Sequence, residues 1–200
     1  VQFSKLFGSG GADGFGVAPN FSVYAMLMVW ENKDAAASFF NSPLFAQQQQ
    51  ESIEQWTVYF KAYRVIGTWD KQQPFQINST GNESSPVVVI TRASIKTKYV
   101  LRFWKRVPAI SRFLQTQKAG LFSVGVGEVP WFYQVTFSIW KSEAEMMAFA
   151  HKDKRHGEAA RESLKEGWFS EYLFSRFHLV DSVGTWEGKP PLEKVLPLIQ

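Results

Sequence analysis

The 200-residue sequence contains no cysteine. A disulfide framework, a Cys-ligated zinc site, thiolate catalysis and a Cys-held iron–sulfur cluster are therefore excluded. No apolar run approaches the length of a bilayer-spanning helix. Charge of one sign is also lacking: 22 Lys and Arg against 18 Asp and Glu leave a net charge of +4, spread along the chain, so nucleic-acid binding is not implied. No Gly-x-Ser-x-Gly, His-Glu-x-x-His, Walker loop or EF-hand ladder occurs, which removes the common hydrolase and nucleotide readings. The glycine-rich stretch Gly8 to Gly16 lacks dinucleotide spacing and precedes a strand, so it reads as a flexible loop or lid. What remains is a chain with 45% apolar and 20% charged residues, able to bury roughly 70% of its unfolded surface. Its 8 Trp and 18 Phe exceed what a small core needs and suit either an aromatic core or a cavity for a large apolar ligand.

Internal repetition organises the chain. Phe3-Ser4 followed by Gly8 corresponds to Phe122-Ser123 followed by Gly127, Trp30 and Phe39 to Trp140 and Phe149, and Gly67-Thr68-Trp69-Asp70 to Gly184-Thr185-Trp186-Glu187. Each copy runs strand, strand, helical segment, strand, with helices expected near 32–53 and 142–166. The second copy opens with an extra strand, Val87 to Lys96, and an amphipathic helix carrying Val100, Phe103, Trp104, Val107 and Ile110. It thus has the β-α-β-β-α-β order of a ferredoxin-like unit. The expected fold is α+β, two ferredoxin-like repeats forming a dimeric-α+β-barrel-type domain, with the first strand and helix of repeat one missing from this chain. About 30 to 45 residues before Val1 would supply them. The expected divisions are an incomplete first repeat at 1–70, a linker at 71–86, a second, haem-binding repeat at 87–187 and a tail at 188–200. Along 121–127 and 132–140 one strand face is small or polar, which suggests an enclosed space between the two sheets. A merely solvated face is the alternative. The opening residues alternate like a strand and not like a signal peptide, so the chain reads as cytoplasmic.

Of the three His, His178 lies in the expected strand Tyr172 to Val180 among aromatics, and His151 lies in a basic segment after the capping-box pattern Ser142-x-x-Glu145. His156 opens a helical stretch and shares its face with the small Ala160 and Ser163. A helix N-terminus disfavours the imidazolium and leaves a neutral nitrogen for a metal. Lys152, Lys154, Arg155 and Arg161 are nearby cations suited to carboxylates. An ordinary first-turn His near the surface is the competing reading.

Longer motifs bear on that choice. Leu101-Arg102-Phe103-Trp104-Lys105-Arg106-Val107-Pro108-Ala109-Ile110, Gly125-Val126-Gly127-Glu128-Val129-Pro130, Gln134 to Trp140, Phe149-Ala150, His156 and Glu166-Gly167-Trp168-Phe169-Ser170-Glu171 resemble segments of the spheroidene monooxygenase family. In the first copy Gly8-Ser9-Gly10, Gly14-Phe15 and Ser52 through Trp56-Thr57-Val58 also match its pattern. The resemblance implies a haem-dependent monooxygenase that inserts oxygen from O2 at C-2 of an acyclic carotenoid, giving a hydroxyl or a ketone. It implies haem b (heme b), its iron held by His156; Arg155 and Arg161, with Lys152 and Lys154, are then the candidate propionate partners, and Ala160 and Ser163 on the same helix face leave room. His178 is the reserve ligand. It also implies an external electron donor such as ferredoxin, and a membrane-dwelling substrate implies peripheral membrane contact. Arg92, on the strand face opposite Val87, Val89 and Ala93, is the candidate catalytic cation beside bound oxygen. A structural ion pair or a propionate contact is the alternative for Arg92. The alternatives for the whole chain are a non-catalytic haem-binding protein, or a cofactor-free monooxygenase or apolar-ligand binder on the same fold.

Overall fold

The computed structural model describes residues 1–11, 14–16, 18–77, 85–115, 120–152, 162–193 and 195. The described elements run β1 (Phe3–Gly10), β2 (Pro19–Val29), α1 (Lys33–Phe40), α2 (Pro43–Glu51), β3 (Trp56–Gly67), β4 (Val87–Ile95), α3 (Val100–Gln115), β5 (Gly120–Val129), β6 (Tyr133–Trp140), α4 (Glu143–Lys152) and β7 (Phe169–Gly184). The helix expected near 32–53 is two helices. Pro43 cannot continue the first but fits the opening turn of the second, where the Ser42 hydroxyl accepts from the Phe45 amide, as Asn32 accepts from Ala35 at the first. The expected capping box forms its N-cap half, the Glu145 amide donating to Ser142 Oγ at 3.2 Å.

All seven strands form one antiparallel sheet in the order β2-β1-β5-β6-β4-β7-β3. Read from β7, the second copy gives the fourth, first, third and second strands of a β-α-β-β-α-β unit, which is the ferredoxin-like arrangement. The copies join through their own counterparts: Gly8 faces Gly127 across β1 and β5, and Lys61 faces His178 across β3 and β7. The first-copy position equivalent to β4 falls between the two edges, β2 and β3, and no described strand occupies it. The α+β, two-repeat fold expected from the sequence is therefore present.

The sheet curls around a packed aromatic interior. Val88 and Ile90 of β4, Val124 and Val126 of β5, Val135 and Ile139 of β6 and Phe177 of β7 are buried in one cluster with Phe7 and Trp69 of the first copy. Phe60, Phe75 and Phe177 make edge contacts with centroids 4.8–4.9 Å apart, and Trp56 meets Phe122 at 4.5 Å. The small and polar face of β5 and β6 points outward, so the expectation that it lines an enclosed space is corrected: the bulky face turns in, because joining two apolar sheet faces buries the most surface. Outside, the glycine-rich segment lies on β5, where a Cβ on Gly125 would strike the Gly14 carbonyl and the Phe15 ring. Phe75, within the stretch read as a linker, and Leu192, within the expected tail, are both buried in the core.

A second apolar cluster, Val87, Trp140 and Met146 with Tyr63, Val89, Met147 and Phe149, holds α4 on the outer face. Trp140–Phe149 ring packing at 4.8 Å repeats Trp30–Phe39 packing at 5.4 Å in the first copy. Glu143 at the start of α4 accepts from Tyr63 Oη at 2.8 Å and pairs with Arg176. No described helix is long and apolar enough to cross a membrane.

Candidate functional site

Arg92 is the most enclosed ionic side chain described, 2% exposed and projecting from β4 into one end of the barrel. Its Nε reaches Glu128 Oε1 at 3.3 Å, its Nη2 reaches Asp70 Oδ1 at 3.3 Å, and its Nη1 donates to Glu171. The planar guanidinium also lies 5.4 Å from the ring centroids of Trp69 and Tyr133. Trp69, fully buried, donates its indole N–H to the same Glu128 oxygen at 3.0 Å. Lys5 completes the group through Asp70 and, at 3.0 Å, Glu128. Burial would lower the Lys5 ammonium, but its bonds to Asp70 and Glu128 outweigh that and raise it.

Glu171 carries the most polar partners. Thr68 Oγ1 donates at 2.7 Å and the amides of Asp70 and Lys71 at 3.0 and 2.6 Å, besides Arg92. Burial alone would raise this carboxyl, yet the Lys71 amide, Thr68, Arg92 and the Asp70 amide together pull it down to about 2. Asp70 and Lys71 adopt positive φ (52° and 62°) so that both amides point at the carboxylate. Arg92 thus occupies the ion-pair arrangement left open by its sequence position, and each of its arms is engaged by a carboxylate. Sequence reading picked out Arg92 but not its partners Lys5, Asp70, Glu128 and Glu171 as a unit. The repeated Gly-Thr-Trp segment, followed by Asp70 in the first copy and Glu187 in the second, was the signal available for Asp70 alone.

His156, Arg155, Ala160 and Arg161 lie outside the described residues, as do Lys154 and the side chains of His151 and Lys152. Ser163 is described: it is 5% exposed, and its carbonyl accepts the Trp168 amide at 2.8 Å. Trp168 is 1% exposed between Tyr99, stacked at 5.5 Å, and the guanidinium groups of Arg102 and Arg106, each 4.9 Å from its ring. Arg102 and Arg106 of α3 also pair with Glu162, and Arg102 pairs with Glu166 at 2.6 Å. The segment entering β7 is thereby clamped to α3. His178, the reserve ligand, stacks on Tyr63 at 4.5 Å on the outer face of the sheet and does not face the barrel interior. Burial and the bond to Glu143 raise the Tyr63 phenol well above its usual value.

Among the described residues no group of three or more acidic or His side chains could hold a metal ion. A planar macrocycle with a single axial imidazole requires instead a flat floor and little bulk. The outer face offers such a floor in the middle of the sheet: Val89, Thr91, Ala93 and Thr136 are short side chains that remain half-buried. In register with Thr91 lie Thr136 on one side and Phe174 on the other, the latter 41% exposed. These short side chains leave that part of the outer face flat, with Val89 at its border packed against the α4 cluster.

No family model matches the chain. The chain is 40% identical over 200 residues to a spheroidene monooxygenase of Rhodobacter capsulatus, covering 98% of this chain and 83% of that protein. With the spheroidene monooxygenase of Cereibacter sphaeroides it shares 38% over 198 residues, covering 98% of this chain but 61% of that longer protein. With that of Rubrivivax gelatinosus it shares 32% over 190 residues, covering 94% and 73%. Among solved structures, a candidate monooxygenase from Fusobacterium nucleatum aligns over 90% of this chain and 76% of its own, at 6% identity and a TM-score of 0.46. An anthrone oxidase-like protein aligns over 93% and 80%, at 11% identity and 0.37. At those scores the fold assignment rests on the strand order itself. The sequence matches, which run through both copies, settle the kinship: the chain belongs to the spheroidene monooxygenase family.

Proposed function

We propose that this protein is a carotenoid monooxygenase that uses haem b and O2 to oxidise C-2 of an acyclic carotenoid to the alcohol or ketone. The observation that carries the reading is 40% identity over 98% of the chain to a spheroidene monooxygenase. In this reading His156 would hold the haem iron through an imidazole nitrogen, Arg155 and Arg161 would meet the propionates, and Ala160 and Ser163 would leave room beside the imidazole. Bound there, haem b would supply dioxygen binding and activation at its iron.

The chain's own residues set the surroundings. The clamp of Arg102 and Arg106 on Glu162, Glu166 and Trp168 fixes where the segment after His156 re-enters the sheet. The short side chains of Thr91, Ala93 and Thr136 form the floor, and Phe174 adds apolar surface beside it. A polyene offers almost no polar handle, so contact area at ~25 cal/mol per Å2 dominates its recognition. Arg92 projects from the face of β4 opposite to Thr91 and Ala93 and serves by holding one barrel end rigid. Inserting one atom of O2 into a C–H bond consumes two electrons and two protons and releases water. An external donor of the ferredoxin kind would supply the electrons.

The test is turnover by the haem-loaded protein with an acyclic carotenoid, O2 and reduced ferredoxin. A product heavier by one oxygen atom, or by one oxygen less two hydrogens, supports the reading. Unchanged carotenoid with fully loaded protein overturns it.

A further inference from the structure

The hairpin joining β5 to β6 carries its apolar side chains into solvent. Val129 is 42% exposed, Trp131 45% and Tyr133 38%. Trp131, at the hairpin tip, sits at φ 67°, a left-handed conformation unusual for a bulky residue. Its carbonyl accepts the Trp104 indole N–H at 3.1 Å, tying the tip to α3. One turn before Trp104 on the same helix, Leu101 is 79% exposed. Around this patch the segment 96–106 holds Lys96, Lys98, Arg102, Lys105 and Arg106 and no acidic residue. Glu162 and Glu166 neutralise the two arginines, whereas Lys96, Lys98 and Lys105 are exposed with no carboxylate within ion-pair distance among the described residues. Between the hairpin, the end of β4 and the start of β7 opens a concavity of about 490 Å3, walled by Ile95, Val129, Phe132 and Tyr133 together with the polar Lys96, Thr97 and Ser170.

Exposed Trp and Tyr are side chains with an apolar body and a polar tip, and they favour the level of lipid headgroups. Lysines around them add attraction to anionic lipid within a Debye length. We propose that the tip Val129–Tyr133 and the start of α3, Leu101 to Lys105, form a docking surface for an anionic phospholipid bilayer, with the concavity opening onto the acyl chains. The proposal deepens the carotenoid reading and rests on it for its purpose, since a polyene substrate must be collected from a membrane.

The experiment is co-sedimentation of the full chain, without substrate, on vesicles of phosphatidylcholine alone or with phosphatidylglycerol. Wild type is expected to bind the anionic vesicles, and high salt to weaken it. Trp131→Asn, which removes the ring but suits the left-handed backbone, should weaken binding on the order of ten-fold. Leu101→Gln, at a largely exposed position outside the core, provides a second variant that should act in the same direction. The triple change Lys96→Gln, Lys98→Gln, Lys105→Gln should cost roughly 100-fold on anionic vesicles. Failure of wild type to bind anionic vesicles, or variants that bind like wild type, would overturn the docking surface. Turnover of detergent-dispersed carotenoid, which needs no docking, reports separately on the activity, so the two readings fail independently.

Discussion

After β3, Glu171 accepts the Thr68 hydroxyl and the amides of Asp70 and Lys71; after β7, Glu54 accepts the Thr185 hydroxyl and the amides of Glu187 and Gly188. Gly67 and Gly184 open these turns at φ 90° and 93°, and a Cβ on either would strike a carbonyl, that of Tyr172 or that of Gln55. Trp69 bridges to Gln72 as Trp186 bridges to Lys189. The backbones are alike, but the environments are not. Trp69 is wholly buried beneath Arg92, whereas Trp186 is half-buried and rests on Phe122 at 5.2 Å and Trp56 at 6.2 Å. Local sequence plus one glutamate thus suffices to form the turn. Closing the barrel end over it takes a cation from β4, and the counterpart of β4 in the first copy falls between β2 and β3, where no strand is described.

The comparison breaks most sharply at Arg92. Arg92→Met leaves Glu171 without its cation and Glu128 with Lys5 alone, and the expected loss is about 3–5 kcal/mol of stability, read by denaturant unfolding. An unchanged midpoint would show that the ionic cluster contributes nothing to the fold. Gly67→Ala and Gly184→Ala should each cost more than ~1 kcal/mol, and by similar amounts, because the strain is the same backbone conflict. Unequal losses would mean that the two turns differ in backbone as well as surroundings. Glu171→Gln should lower the melting temperature clearly and Glu54→Gln only slightly, since the latter carboxylate is open to water even though Thr185 and the Gly188 amide lower its pKa.

Acid titration sharpens the same contrast. The Glu171 carboxyl titrates near 2 in the fold against 4.5 ordinarily, so the folded state holds fewer protons than the unfolded chain between those values. Its stabilisation is complete above the ordinary value and is lost as pH falls toward 2. Melting curves of wild type and Glu171→Gln should accordingly differ at pH 6 and draw together as the pH is lowered. A gap independent of pH would assign the difference to shape instead of charge.

Much of the architecture was legible because it rests on periodicity and on repeated anchors. The Trp–Phe pairs, the Gly-Thr-Trp turns and the alternation of β4 to β7 all fell where their patterns placed them. The break at Pro43 could be read as a helix start only once Ser42 was seen to cap it. Which face of β5 and β6 turned inward was not legible, since both alternating faces satisfy a strand; the packing of Gly14 and Phe15 on Gly125 explains the missing side chain at that one position. Arg92 stood out, but Glu128 and Glu171 lie 36 and 79 residues away, and no local pattern joins them. His156 rests on family resemblance, and Arg155, Ala160 and Arg161 on their spacing from it, while Ser163 is placed, buried, at the clamped end of the same segment.

The central claim concerns the axial ligand, and absorption spectra of haem-reconstituted wild type and His156→Ala, oxidised and dithionite-reduced, test it most directly. The account predicts a Soret band in the wild type that is lost or displaced in the variant. A band identical in both, or none in the wild type after reconstitution, would contradict it.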